Sequence, residues 1–138
     1  MEFNYEVEGG NFTKAGNAAS SVKKVLKQLN VDPKVIKRVV VALYEGEVNV
    51  VAHAYKGTIR VDIDTERIFI QIEDEGPGIP DIDLAMTVGY STASAMVREM
   101  GFGAGMGLPN MKRNADSLNI SSTVGKGTVV ELTTKLAN

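Results

Sequence analysis

The sequence contains no cysteine and a single histidine, His53. Disulfides and thiolate metal sites are thereby excluded, and one imidazole cannot build a zinc centre alone, so any metal must be held mainly by oxygen. A basic surplus is also missing: 15 lysines and arginines stand against 17 aspartates and glutamates, for a formal net charge of -2. Nothing in that balance attracts nucleic acid or an anionic membrane, and neither is expected as a partner. No apolar run is long enough to cross a bilayer. The opening Met1-Glu2-Phe3-Asn4-Tyr5-Glu6 has acidic side chains and no basic start leading into an apolar stretch. No export signal is read there, and the cytoplasm is the expected location.

What the sequence does have is ordinary for a soluble globular protein: 43% apolar and 23% charged residues. A chain of 138 residues suffices for one domain with one core and leaves no room for a second domain and a linker. One domain over residues 1–138 is therefore expected to hold whatever activity exists.

Hydrophobic periodicity sets out the elements. Phe3, Tyr5 and Val7 alternate with polar neighbours up to Gly9-Gly10, as an edge strand with one buried face does. Val22, Val25, Leu26 and Leu29 fall at helical spacing, with Lys23, Lys24 and Lys27 on the solvated side, which predicts a helix from about Thr13 to Asn30. Asp32-Pro33 supplies a cap and a proline at the first helical position, and the stripe Val35, Ile36, Val39, Val40, Leu43 carries a second helix to about Ala54. From Thr58 the period becomes two: Ile59, Val61 and Ile63, a turn near Thr65-Glu66, then Ile68, Ile70 and Ile72. A long loop follows. Leu108, Met111, Ala115 and Leu118 predict a helical face, and Ile120, Val124, Val129, Val130 and Leu132 a closing hairpin around Gly125-Lys126-Gly127. Strands joined as hairpins favour an α+β fold: a two-layer α/β sandwich with a mostly antiparallel sheet and helices on one face. Met96, Met100, Met106 and Met111 cluster around the loop and its following helix, as adaptable packing would.

Three polar features interrupt this pattern. Glu45, Asn49 and His53 stand at i, i+4 and i+8 in the second helix and share a face; such a line can face water or a ligand. Asp74-Glu75-Gly76-Pro77-Gly78 comes directly off a strand, where the carboxylate can accept a hydrogen bond and the glycines admit a close ligand or a positive φ. Gly101-Phe102-Gly103-Ala104-Gly105-Met106-Gly107 opens a helix, whose exposed amides favour phosphate. The common phosphate motifs are absent: a P-loop read back from Gly125-Lys126 would put Ile120 at its first glycine, and Gly105-Met106-Gly107 is followed by Asn110 where a dinucleotide fingerprint needs glycine.

In this order, the segments Glu45 to Asn49, Asp74 to Gly78, Gly103 to Leu108 and Gly125-Lys126-Gly127-Thr128 resemble the N, G1, G2 and G3 boxes of the gyrase, chaperone, histidine kinase and mismatch-repair ATPase superfamily, the Bergerat fold. The run Glu45 to Tyr55, the segment Gly76 to Asp81, the tract Gly89-Tyr90-Ser91-Thr92 and Gly105 to Pro109 are most similar to the small bacterial serine/threonine kinases that regulate sigma factors. The resemblance implies a site for ATP or ADP with Mg2+. In it Asn49 ligates the metal, Asp74 accepts from the adenine amino group and Glu45 is the catalytic carboxylate. It further implies that Gly76 and Gly78 lie against the base and sugar, that Gly105, Met106 and Gly107 present amides to the phosphates, that Thr128 completes the adenine end through its hydroxyl, and that Ile79, Gly103 and Leu108 belong to the same nucleotide site. Residues from about Ile79 to Gly103 correspond to an ATP lid, with Thr92 and Arg98 in it. His53 is read mainly as a helix-end histidine satisfied by its neighbours, with contact to phosphate or to an Mg2+-bound water the minority case. Glu47, two residues from Asn49, projects elsewhere and is expected at the surface or facing a dimer partner.

The resemblance is to kinases that act on a small regulatory protein of the anti-anti-sigma type, in competition with a nucleotide-gated grip on a sigma factor without phosphoryl transfer. Some relatives of this kind carry a basic residue and a serine where this chain has Gly103-Ala104, which removes one phosphate contact. Arg98 in the lid can reach in as a substitute guanidinium, an exposed lid arginine being the commoner explanation. A gyrase-type hydrolase would need a following domain. The first strand, as a sheet edge, offers a surface for a homodimer.

Overall fold

The computed structural model describes residues 1–86 and 107–136. The elements run β1 (Glu2–Glu8), a 3-10 turn (Phe12–Lys14), α1 (Asn17–Gln28), α2 (Pro33–His53), β2 (Lys56–Ile63), β3 (Arg67–Glu75), α3 (Ile82–Ala85), α4 (Gly107–Arg113), β4 (Ser117–Thr123) and β5 (Gly127–Lys135). The strands form one five-stranded sheet in the order β1-β2-β3-β5-β4, every neighbouring pair antiparallel. This is the expected two-layer α+β sandwich.

Strict alternation along β2, and near-alternation along β3 and β5, sends Ile59, Val61, Ile68, Ile70, Ile72 and Leu132 to one face of the sheet. Val22 and Leu26 of α1, Val39, Leu43 and Val50 of α2 and Met111 of α4 close over them. Each such side chain taken fully out of water contributes about 1.5–3 kcal/mol, so the core is held by the same apolar positions that fix the two periodicities. Of the clustered methionines, Met111 is wholly buried in this core; Met96, Met100 and Met106 lie outside the described residues.

Two expectations need correction at helix ends. The helix predicted from Thr13 begins at Asn17, because Gly16 adopts φ 97° and separates it from the Phe12–Lys14 turn. It stops at Gln28, because Asn30 takes φ 56°, and the amides of Asn30 and Val31 bond back to the carbonyls of Lys27 and Leu26 at 3.1 Å each. This is the paired left-handed stop that asparagine tolerates better than most residues. Leu118, assigned by spacing to the last helix, belongs instead to β4, opposite Leu132. The helix ends at Arg113, and the Asp116 amide joins the Thr133 carbonyl at 2.9 Å, which starts the strand. Val124 sits at the hairpin tip, 64% exposed.

Helix α2 begins as its sequence dictates, with the Asp32 carboxylate accepting from the Lys34 amide at 2.8 Å and Pro33 at the first turn. In its middle, Gly46 leaves space that β3 and α4 use: a methyl there would collide with Ile72 and lie 3.1 Å from the Met111 Sδ-methyl. The missing side chain lets α2 lie close to both elements, at the point where the polar residues of its exposed face begin.

Candidate functional site

The C-terminal half of α2 forms one wall of the site. Glu45 and Asn49 are both partly buried and one helical turn apart. Helix α4 closes against them. The Asn110 side-chain amide donates to Glu45 Oε1 at 3.4 Å. Gly107, the first residue of α4, lies so near Asn49 that a methyl there would sit 3.0 Å from Asn49 Oδ1. A side chain at that position would press on the Asn49 amide, which would have to give way by a few tenths of an ångström. Asn110 is itself fixed, its Oδ1 accepting from Arg113 and its backbone oxygen from the Asn114 side chain at 2.8 Å.

About 13 Å further along α2, Ala54 meets the strand-ending turn of β3. A methyl on Gly76 would lie 3.0 Å from Ala54 Cα and 3.5 Å from Asp74 Oδ1. Asp74 Oδ1 accepts from the Thr128 amide at 3.0 Å, while the other carboxylate oxygen has no hydrogen bond among the described residues. Thr128 is buried, and its hydroxyl lies 2.9 Å from Ser122 Oγ. Gly78 has φ 76° and packs so tightly against the Thr123 carbonyl that no side chain fits. Backbone bonds from Gly76 to Lys126 at 3.0 Å and from Gly125 to Pro77 at 2.8 Å stitch the turn to the β4–β5 hairpin.

Burial pushes the Asp74 carboxyl above its ordinary pKa, a shift opposed by the Thr128 amide bond. A folded-state pKa above the unfolded one favours the protonated form. The associated stability is full below the ordinary carboxylate pKa and is lost as pH rises through the raised value. Ionising Asp74 within the fold therefore carries a cost to stability. His53, at the end of α2, moves the other way: burial lowers its pKa and keeps the ring neutral at pH 7.

The structure thus brings Glu45, Asn49, Gly107 and the buried Leu108 together at one end, and Asp74, Gly76, Gly78, Ile79 and Thr128 at the other, with His53 between on α2. Thr92, Arg98, Gly103, Gly105 and Met106 lie outside the described residues, as does the part of the expected lid beyond residue 86. Two residues escaped the sequence reading: Asn110, visible there only as a residue that spoils a fingerprint, and Ser122, visible only as a strand position. Neither carries a spacing signal, since each acts through a bond to a segment remote in sequence.

One reading is overturned. Glu47 is not at the surface: it is 2% exposed. Its two carboxylate oxygens accept from the amides of Ala18 at 3.0 Å and Ala19 at 3.2 Å. These are N–H groups in the first turn of α1, which have no partner within their own helix, so the carboxylate satisfies them and meets the positive end of the helix dipole.

No group of three His, Cys, Asp or Glu side chains able to hold a metal occurs among the described residues. A cation at Asn49 could take one oxygen from its side-chain amide and others from water or phosphate. That fits Mg2+, which keeps several waters and is commonly completed by phosphate oxygens.

Residues 11–134 match the family described as the histidine kinase-like ATPase domain. An anti-sigma F factor of Caldanaerobacter subterraneus is 34% identical, over 96% of this chain and 95% of its own length. The serine/threonine-protein kinase RsbT of Bacillus subtilis is 34% identical over 79% of each chain. Among solved structures, the RsbU and RsbW domains of a Mycobacterium tuberculosis protein superpose over 100% of this chain with a TM-score of 0.68 at 14% identity. This chain spans 33% of that one, so the likeness is to part of it and concerns the fold. The fold, the ordered boxes and these relatives agree: the chain belongs to the histidine kinase-like ATPase domain family, among the small anti-sigma F factor and RsbT-type proteins.

Proposed function

We propose that this protein is an Mg-ATP-dependent serine/threonine protein kinase of a sigma-factor pathway, acting on a small regulatory protein of the anti-anti-sigma type. The observation that carries the reading is the meeting of α2 and α4: Gly107 has no side chain where the Asn49 amide oxygen needs room, and Asn110 holds Glu45 one turn away. Asp74 and Thr128 supply acceptor groups for an adenine ring, Asn49 an oxygen ligand for Mg2+, and Glu45 a carboxylate to take the proton of an attacking hydroxyl. Bound Mg2+ would neutralise charge on the phosphates. The chain would work as one ATP-binding unit, and the outer edge of β1 is the surface through which a homodimer would form.

The test is incubation with labelled Mg-ATP and a purified anti-anti-sigma protein encoded beside this one. Labelled phosphate should appear on a serine or threonine of the partner. Asn49→Ala should weaken ATP binding in Mg2+ by about tenfold, the value of a charge-assisted contact, and change binding little in EDTA. Failure of the wild type to bind ATP would end the reading. The name anti-sigma F factor borne by 34% identical relatives favours a second reading, in which ATP gates a grip on a sigma factor. Under it, binding persists and no phosphoprotein appears.

A pH dependence follows from Asp74. Its ionised form is the stronger acceptor for an amino group, and its pKa is raised by burial. ATP affinity should therefore begin to fall at a higher pH than an exposed aspartate would dictate as pH is lowered from 7. Calorimetric titrations from pH 7.5 to 5 would show this, and Asp74→Asn should bind weakly with a flat profile.

A further inference from the structure

Ser122 stands where three segments of the adenine end meet. Its hydroxyl oxygen accepts from the Ile79 amide at 2.7 Å, lies 3.1 Å from the Gly127 carbonyl and lies 2.9 Å from the Thr128 hydroxyl, its cross-strand neighbour. Of the bonds that tie the Gly76–Ile79 segment to the β4–β5 hairpin, this is the one made through a side chain; those of Gly76 and Gly125 are backbone to backbone.

The protons at this node can be counted. A serine hydroxyl has one hydrogen and two lone pairs. The Ile79 N–H occupies one lone pair, and the Gly127 carbonyl, which has no hydrogen, must receive the Ser122 proton. The remaining lone pair accepts the Thr128 proton. Thr128 is left with lone pairs alone, close to Asp74, whose Oδ1 holds the Thr128 amide. A carboxylate and a hydroxyl that both only accept suit a group that only donates.

We propose that Ser122 is a positioning residue that commits the Thr128 hydroxyl to the role of acceptor beside Asp74, and so makes the site choose 6-amino over 6-oxo purines. The inference rests on the nucleotide reading above and deepens it. A 6-amino group donates two hydrogens, whereas a 6-oxo group presents lone pairs to lone pairs. With the Ser122 hydroxyl removed, the Thr128 proton is released and can turn toward a 6-oxo group, and the Ile79 amide loses its acceptor.

The experiment compares ATP with inosine triphosphate, which carries oxygen in place of the 6-amino group, by titration calorimetry on wild type, Ser122→Ala and Ser122→Thr. Hydrogen exchange at Ile79 is followed without nucleotide. In Ser122→Ala the preference for ATP should shrink about tenfold, the worth of one hydrogen bond of this kind. Ile79 exchange should quicken, and Ser122→Thr should restore both. A purely structural role would lower the melting temperature and weaken both nucleotides alike, leaving their ratio in place; that result overturns the proposal, as does an unchanged ratio with unchanged stability. If the wild type binds ATP and inosine triphosphate equally, the proposal also fails while the nucleotide site stands. If it binds neither, the underlying reading fails with it.

Discussion

Glu45→Gln should lower the rate of phosphoryl transfer by roughly 100- to 10,000-fold, the range that a positioned general base contributes. The substitution keeps the length and shape of the side chain and retains an oxygen to accept from the Asn110 amide, 3.4 Å away in the native protein. What it removes is the ability to take a proton. Glu45 lies one turn before Asn49 on the same face of α2, so nucleotide held at Asn49 and Gly107 should be bound almost as before. Single-turnover transfer and ATP titration, run side by side, separate the two effects: a large fall in rate with affinity within about threefold identifies the base. An unchanged rate would remove Glu45 from the chemistry. Asn110→Ala, which leaves the carboxylate but frees its orientation, should give a smaller loss of rate.

The second large effect concerns stability. Glu47→Ala leaves the amides of Ala18 and Ala19 buried without acceptors, at about 1–3 kcal/mol each, and also removes the negative charge from the positive end of α1. A destabilisation of about 3 kcal/mol or more is expected, which for a domain of this size lowers Tm by roughly 10 °C. Glu47→Gln keeps one acceptor oxygen but points an amide donor at the second N–H, so it should recover only part of the loss. Urea denaturation of the three proteins measures the difference. If Glu47→Ala unfolds at the same urea concentration as the wild type, the capping account is wrong. Loss of ATP binding with stability intact would instead return Glu47 to the site.

The contrast between Glu45 and Glu47 shows what a sequence can and cannot disclose. The direction in which each leaves α2 is legible, because helical period fixes it: Glu45 shares a face with Asn49, and Glu47 does not. Where Glu47 arrives is not legible, since nothing in the local pattern reveals that the start of α1, 28 and 29 residues earlier, ends against it. The same limit applies to the bond between Ser122 and Ile79 and to that between Asn110 and Glu45, which span 43 and 65 residues, although Ser122 also bonds Gly127 and Thr128 within its own hairpin. The antiparallel hairpins, the buried face and the caps at Asp32 and the β4–β5 turn follow from period, proline and glycine, whereas the sheet order β1-β2-β3-β5-β4 does not. The early stop of α1 depended on one positive φ at Asn30, and the shortened last helix on a single strand bond from Asp116. Such local competitions between helix and strand are decided by tertiary partners.

The pairing of β3 with β5 bears on how the chain is made. Arg67 faces Lys135 and Glu73 faces Val129, so one side of a central strand waits for residues translated well after it. Until β5 has been made, Ile68, Ile70 and Ile72 belong to a sheet with an unfinished edge, open to strands of other nascent chains. Joining so distant in sequence also slows the closing step. Output of active protein should therefore depend on translation running through β5 without a long pause, and on chaperones that shield β3 until it does.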